Sequence, residues 1–525
     1  MSSDSYYILF PNEAEAFVEA LEFQDYDLCG TEPWYKQHAY LNKLNMQAVA
    51  SARSGSDEFV KEFLISHQKV EFLIRDLVST ELWHRKVFNK VLKKITGNIP
   101  TFPIYAVLYH ELIVTNLLET ISYHVDVVDS LSDYAIDLCD WCHRALCRLV
   151  TMTNNEEKKV AIRLLKDQVT YFRFYINTDQ TTSSESSKEE LERQGSIIGF
   201  EVSMKAVALT CHLIEHCCSG INGTSISALP LGISRRILHT HDFLCLLCHI
   251  LVLAPWSCQD ADSLGCRVNY QWHESGCWIA ETDEKNWSPV TKTEGQVWLS
   301  IYQLLFSGLM GAVNYEIVGN SVRHQALLRL RPFLTETRID VIPVLGQLRR
   351  FLEEYAMSEG VAANIVGRSA PTYSAAAVAQ LCHVEDVAEI HDRIMQRFVS
   401  FAFNSNDVIR YKGKWEATAE EFLSRIQSQE GCEAAQRAAS RWADTFSEEN
   451  VGALFGAQTM NIASGDADSF EHPLLRAPRC VVCGEVATKR CSRCKHEWYC
   501  RRQCQVEHWP RHKKACDILV SANAN

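Results

Sequence analysis

The sequence predicts a mainly α-helical chain, a multi-helix body followed by a small C-terminal finger organised around metal ions. Three observations carry this. Apolar residues recur at helical spacing through most of the chain, alternating patterns are scarce, and the cysteines are unevenly placed. Of 21 cysteines, seven (Cys480, Cys483, Cys491, Cys494, Cys500, Cys504 and Cys516) fall at the C-terminal end and the rest are scattered.

At 525 residues the chain exceeds the size at which one core stops growing, so several domains are expected. Hydrophobic residues at 47% and charged residues at 22% exclude a mainly disordered chain. A net charge of −13 argues against a general nucleic-acid coat. Met1 to Tyr7 offers no basic segment leading into an apolar run, so no signal peptide is expected. The longest apolar stretch, Phe243 to Trp256, contains His249 and Pro255, is too short to span a bilayer, and reads as a buried helix. A soluble intracellular chain is expected, and there a dense cysteine cluster points to metal rather than disulfides.

Along the body, Asn12 with Glu15 has the spacing of a capping box, and Ala14, Phe17, Val18 and Leu21 share one helical face. From Ile104 to Val150 the pattern is helical and apolar nearly all round, with Pro100 and Pro103 at its start, which predicts burial between neighbours. Leu345, Leu348, Leu352 and Tyr355 form a further stripe. Cys266 to Ile279 reads as a short hairpin. An armadillo- or HEAT-like array is one arrangement for so many helices, although no self-similar period is evident. The loops expected are Asp179 to Ser196, Ser219 to Leu229 and Ser358 to Thr372, the first and last being possible sub-boundaries. The domains then read as a helical body over 1–446, a linker over 447–479, the finger over 480–516 and a tail over 517–525.

The finger's ligand spacing is C-x2-C, C-x2-C, C-x3-C and H-x3-C, four pairs and enough for two tetrahedral zinc sites. The C-x2-C pairs reach one ion from a tight turn, and the C-x3-C and H-x3-C pairs sit one helical turn apart. So small a segment cannot fold on apolar burial alone, whereas each structural zinc contributes on the order of 10–16 kcal/mol. With every ligand position filled, no site stays open for a catalytic water, so the zinc reads as structural. Spacing does not choose between sequential and interleaved pairing. His508 rivals His512 as the histidine ligand; His512 has the i,i+4 relation to Cys516, and His496 reads as exposed.

At Tyr499-Cys500, Cys504-Gln505, Trp509, His512 and Cys516 the chain resembles the MYND-type zinc finger, without gaps from Cys480 to Cys516. The resemblance implies an interleaved, cross-braced topology, with Cys480, Cys483, Cys500 and Cys504 on the first ion and Cys491, Cys494, His512 and Cys516 on the second. It also implies capture of short proline-containing peptides. Gln505 and Trp509 match the contact positions, and the Glu497–Tyr499 strand, with Trp498, offers an edge. Packing of Trp509 in the finger's own core is the alternative. Nine Lys and Arg against three Glu make the finger basic on an acidic chain, which suits an acidic peptide or the body itself as partner.

The likeness extends beyond the finger. PNEAEAFVEAL, HAYLNKLNMQAV, TFPIY at Thr101 to Tyr105, LLET at Leu117 to Thr120 and GQVW at Gly295 to Trp298 resemble a family of MYND-containing assembly factors for axonemal dynein arms. This implies an adaptor of the cytoplasm, including centriolar satellites or dynein assembly particles. Its implied partners are chaperones, a leucine-rich-repeat assembly factor engaging the C-terminal region, and dynein chains as clients. A nuclear corepressor-type regulator is the alternative function, and no compact basic run outside the finger supports it. No Walker A loop, GxGxxG turn, GxSxG elbow or HExxH helix occurs, and no enzyme activity is expected. Two haem-like strings, Cys139 to His143 and Cys245 to His249, read as buried helix, as does His124-Val-Asp126.

Overall fold

A computed structural model describes residues 8–97, 99–154, 186–219, 231–261, 267–273, 277–282, 287–317, 321–363, 385–399 and 415–445. In the tail it describes 482, 489–491, 498–506, 508–509, 512–513 and 516. The chain separates into two units, one of residues 1–168 with 181–454, the other of 169–180 with 455–525. The expected linker (447–479) and tail (517–525) lie outside the described residues, as does the expected loop Ser219 to Leu229 apart from Ser219, which is the last residue of a helix.

The first helix, α1 (Pro11–Glu19), begins before the expected cap. Pro11, lacking an N–H and locked in φ, suits the first helical position. The cap is therefore Phe10, whose N–H donates to Glu13 Oε2 at 3.1 Å, while Glu15 meets His67 instead. Thr31 caps α2 (Glu32–Ser54) by accepting from Trp34 N, and Gly55 closes it in the left-handed region at φ 62°. The following helices are α3 (Phe59–Ser66), α4 (Val70–Leu82), α5 (Asn89–Lys94), α6 (Phe102–Ile121), α7 (Val125–Ser130) and α8 (Tyr134–Asn154). A π-helical turn, Trp83–Phe88, joins α4 to α5.

The stretch expected to run as one helix from Ile104 to Val150 is thus three, broken after Ile121 and again near Ser132, a non-glycine residue at φ 49°. Ion pairs hold the intervening α7: His124 Nε2 lies 2.8 Å from Glu58 Oε2, and Lys61 Nζ donates to Asp126 Oδ2 at 3.1 Å. The His-x-Asp string is structural. Burial all round does hold for α6, where 15 of 20 residues are buried, between α2, α4 and α9 (Ser187–Ser219).

Helix α9 begins inside a segment expected to be loop. Ser186 and Glu189 form a reciprocal cap: Ser186 N–H donates to Glu189 Oε2 at 2.9 Å and Glu189 N–H to Ser186 Oγ at 3.3 Å. The polar Ser-Lys-Glu-Glu run is the first turn of a helix. Over one window α9 is long and apolar enough to cross a membrane, yet 83% of that window is buried in the unit, as befits a core helix.

Next come α10 (Leu231–Arg235), a π turn (Arg236–Thr240) and α11 (Phe243–Leu253), the buried apolar helix the sequence predicts. The weak hairpin is two strands of a three-stranded antiparallel sheet, β1 (Ser257–Ala261), β2 (Arg267–His273) and β3 (Cys277–Ala280). Trp272 faces Trp278 across β2 and β3, and both rings pack on Phe200 of α9. Then follow α12 (Lys292–Phe306), α13 (Leu309–Ala312), α14 (Val322–Leu328), α15 (Glu336–Val341), α16 (Leu345–Ala363), α17 (Val387–Val399), α18 (Trp415–Gln427) and α19 (Gln429–Thr445). In α16, Leu345, Leu348 and Leu352 are fully buried, and the helix runs on into the expected loop at 358–363.

Helices α18 and α19 form a hairpin that returns to the N-terminal helices. Arg425 donates to the carbonyls of Asp27 and Cys29, both at 2.8 Å, and Lys90 and Lys94 pair with Glu416 and Glu420. Contacts spanning more than 300 residues go beyond the neighbour-only contacts of an armadillo- or HEAT-like solenoid.

The core also contains matched charges. Glu81 receives three hydrogen bonds from Arg144, and Glu111 meets Arg148 and, at 2.8 Å, His84. Burial alone would raise the Glu111 carboxyl, but Arg148, His84 and Arg85 hold it down at about 2. Cys139, Cys142, Cys245 and Cys248 lie buried inside helices, and burial pushes the Cys142 thiol up to about 12. These are inert thiols.

Burial, with His110 alongside, holds the His38 imidazole well below its ordinary 6.5. Burial likewise depresses His212, to about 4. Both are neutral in the folded state and must charge on unfolding, so their contribution is full above about pH 6.5 and declines as pH falls below it. Urea midpoints of the full chain should drop between pH 7 and 5, less steeply than the two histidines alone would give, because burial raises the Glu201 carboxyl to about 7 and its proton uptake in the folded state acts in the opposite sense. His38→Gln should make that decline shallower, by up to about 1 kcal/mol per pH unit. An unchanged slope in the variant would remove His38 as a source.

Candidate metal centre

In the second unit, two short strands, β4 (Lys489–Arg490) and β5 (Trp498–Tyr499), pair antiparallel with Lys489 opposite Tyr499. Each is followed at once by a cysteine, Cys491 and Cys500. Antiparallel pairing sends these two cysteines to opposite ends of the ribbon, and the helical residues described between 502 and 516 carry Cys504, His512 and Cys516.

Cys491, His512 and Cys516 are buried, and their ligand atoms all lie within 4.8 Å of one another. Cys491 Sγ is 3.8 Å from Cys516 Sγ across 25 residues, and Cys500 Sγ is 3.6 Å from Cys504 Sγ. A disulfide requires about 2.05 Å. A tetrahedral zinc with thiolate bonds of about 2.3 Å sets its sulfurs about 3.8 Å apart. Two sulfurs and an imidazole at this separation fit zinc, and the soft donor set favours it.

His508 is outside that group. Its Nδ1 lies 3.0 Å from Tyr499 Oη, and its ring stacks on His512 at 5.6 Å. Tyr499, 1% exposed, is the centre of the finger's small core, with Cys491, Cys504 and Cys516 buried around it. Sequence reasoning treated Tyr499 only as part of a motif; an aromatic residue directly between a strand and a ligand was the available signal. Trp509 is partly buried against the same cluster, 6.0 Å from His512, while Gln505 is half-buried and Val506 is exposed. Trp498 lies on β5 by its backbone; Cys480, Cys483, Cys494 and His496 lie outside the described residues.

Comparison with known proteins agrees with this geometry. Residues 480–516 match the MYND finger family, for which zinc binding is implied. The whole chain is similar to the zinc finger MYND domain-containing protein 10 homolog of Drosophila melanogaster, 24% identical over 512 residues, covering 96% of this chain and 98% of the relative. It is also similar to ubiquitin carboxyl-terminal hydrolase 17 of Arabidopsis thaliana, 51% identical over 39 residues, 7% of this chain and 5% of that one. No solved structure matches.

Because Tyr499 is the one buried residue among the described finger residues that is not a candidate ligand, metal removal should unfold the finger. Cys491→Ala should lower bound zinc by at least one equivalent and make the tail protease-sensitive, leaving the helical circular dichroism of the body within about 10%. Full zinc content with an intact tail in that variant would exclude Cys491 as a ligand.

Proposed function

We propose that this chain is a non-enzymatic adaptor for cytoplasmic preassembly of axonemal dynein arms, its finger held by two structural zinc ions. Cys480, Cys483, Cys500 and Cys504 would bind the first ion and Cys491, Cys494, His512 and Cys516 the second. The grouping of Cys491 with Cys516, far apart in sequence, supports this interleaved assignment. A sequential assignment would place those two residues on different ions.

The observation that carries the functional reading is the extent of the similarity to the Drosophila protein, which includes body and finger together. The short match to a hydrolase shows why the finger alone is insufficient: the likeness there covers only 5% of the enzyme. A site whose donors are all engaged by metal binds and shapes polypeptide and leaves no coordination position for a reacting water. Gln505, Trp509 and the β5 edge with Trp498 are the proposed peptide contacts. The leucine-rich-repeat assembly factor, chaperones and dynein chains are the proposed partners.

Depleting the protein from ciliated cells should remove dynein arms from axonemes, and re-expression should restore them. Intact arms after depletion would end this reading. Affinity purification of full chain against Cys491→Ala should identify the finger's partners as those lost from the variant. Trp509→Ala should weaken partner capture at least tenfold with zinc retained, whereas loss of zinc would make Trp509 a packing residue.

A further inference from the structure

The α18–α19 hairpin is attached to the body differently from the helices around it. The turn between its helices is tight: a Cβ on Gly431 would sit 2.0 Å from the Arg425 carbonyl oxygen. Ala419, Leu423 and Ile426 are buried along α18, and two aromatic anchors add to them. Phe422 packs edge-on to Trp83 at 5.3 Å and over Gly30, where φ is +80° and a Cβ would meet the phenyl ring at 3.1 Å. Trp442 enters a box of rings formed by His38, Phe102, Tyr105 and Tyr109, with centroids 4.9 to 6.0 Å away. The rest of α19's buried face is mostly alanine: Ala434, Ala435 and Ala438.

Besides Arg425, which donates to the carbonyls of Asp27 and Cys29, the polar attachments are solvent-facing ion pairs. Lys90 and Lys94 meet Glu416 and Glu420, whose side chains are 64% and 65% exposed, and Arg437 and Arg441 both meet Glu32. Pairs of this exposure are weak and screened by salt. The groove therefore has an acidic site at Glu32, a basic one at Lys90 and Lys94, and an aromatic box.

The box also has polar groups that the hairpin leaves unused. His110 Nε2 lies 2.8 Å from Asp76 Oδ2, and His110 Nδ1 lies 2.8 Å from His38 Nδ1. His38 Nε2 is left buried and without a hydrogen-bond partner. Tyr35 Oη, on the ring stacked against Phe102, is buried in the same condition. Buried groups of this kind weaken the complex that leaves them unmatched.

We propose that this groove is a docking site for an amphipathic helix of a partner protein, and that the α18–α19 hairpin occupies it in cis until displaced. The occupant is specified by the groove. It carries an aromatic anchor, arginines one and five positions before it to meet Glu32, as Arg441 and Arg437 precede Trp442, and a polar side chain able to reach His38 Nε2. The hairpin supplies the first two and omits the third, so a helix with all three outcompetes it. This surface lies in the body and does not depend on the finger.

Hydrogen exchange on the unmodified full chain tests the release. Amides of 415–445 should exchange at least tenfold faster at 0.5 M than at 0.05 M salt, while those of α6 change less than twofold; equal protection of the two at high salt would overturn the proposal. A labelled synthetic peptide of residues 415–445 tests the groove. It should bind full-length Trp442→Ala, or full-length Arg437→Glu/Arg441→Glu, at least tenfold more tightly than the wild-type chain, whose groove is filled. The double variant keeps every groove residue and serves if the alanine variant misfolds. Absence of peptide binding to a folded variant, or equal binding to wild type, would overturn the proposal.

Discussion

Helix α6 constrains the arrangement of everything around it. A helix buried over 15 of 20 positions has no solvent face, so other helices must cover it on every side. Helices α2, α4 and α9 do so. The same burial leaves His110 and Glu111 of α6 without water. His110 is answered by Asp76 and His38, and Glu111 by Arg148 and His84. A buried carboxylate is tolerated only with such partners, and removing one is more costly than never having the pair. Glu111 thus ties α6 to α8 and to the π turn in one register.

The parts of this organisation that were legible in the sequence are those written in local spacing. Helical periodicity at Leu345, Leu348 and Leu352 predicts a stripe that is fully buried, and the pattern after Pro100 predicts α6. Local rules also failed where two of them competed. Asn12 with Glu15 has capping-box spacing, but Pro11 is the better first residue and moves the cap to Phe10. The Ser- and Glu-rich stretch near residue 186 looks like loop by composition, yet Ser186 and Glu189 are positioned to cap each other and start α9. The breaks that divide residues 104–150 carry no glycine or proline, so nothing in that composition marks them. The return of α18 and α19 to α2 and α5 is non-local and has no sequence period to reveal it.

The finger behaves in the opposite way. Its spacing announces ligand pairs without stating which pairs share an ion, because both pairings use the same short turns. Three-dimensional geometry adds the missing relation: antiparallel pairing of β4 and β5 sends Cys491 and Cys500 to opposite ends of the ribbon, and Cys491 comes within 3.8 Å of Cys516. His512 enters that group while His508 bonds Tyr499, a distinction between two residues one turn apart that is a matter of helix phase. The finger therefore has little core beyond its donors, and its shape and metal content are one property.

The separation of 326 residues between Lys90 and its partner Glu416 has a consequence for biosynthesis. At roughly 5 to 20 residues per second, a ribosome needs about 16 to 65 s to make the intervening chain. Through most of that interval His38, Phe102, Tyr105 and Tyr109 have all been made while Trp442, the ring that packs among them, has not, so the surface awaits its own distant lid. A newly made copy passes through a vulnerable adolescence, in which cellular folding helpers have a defined place to hold it.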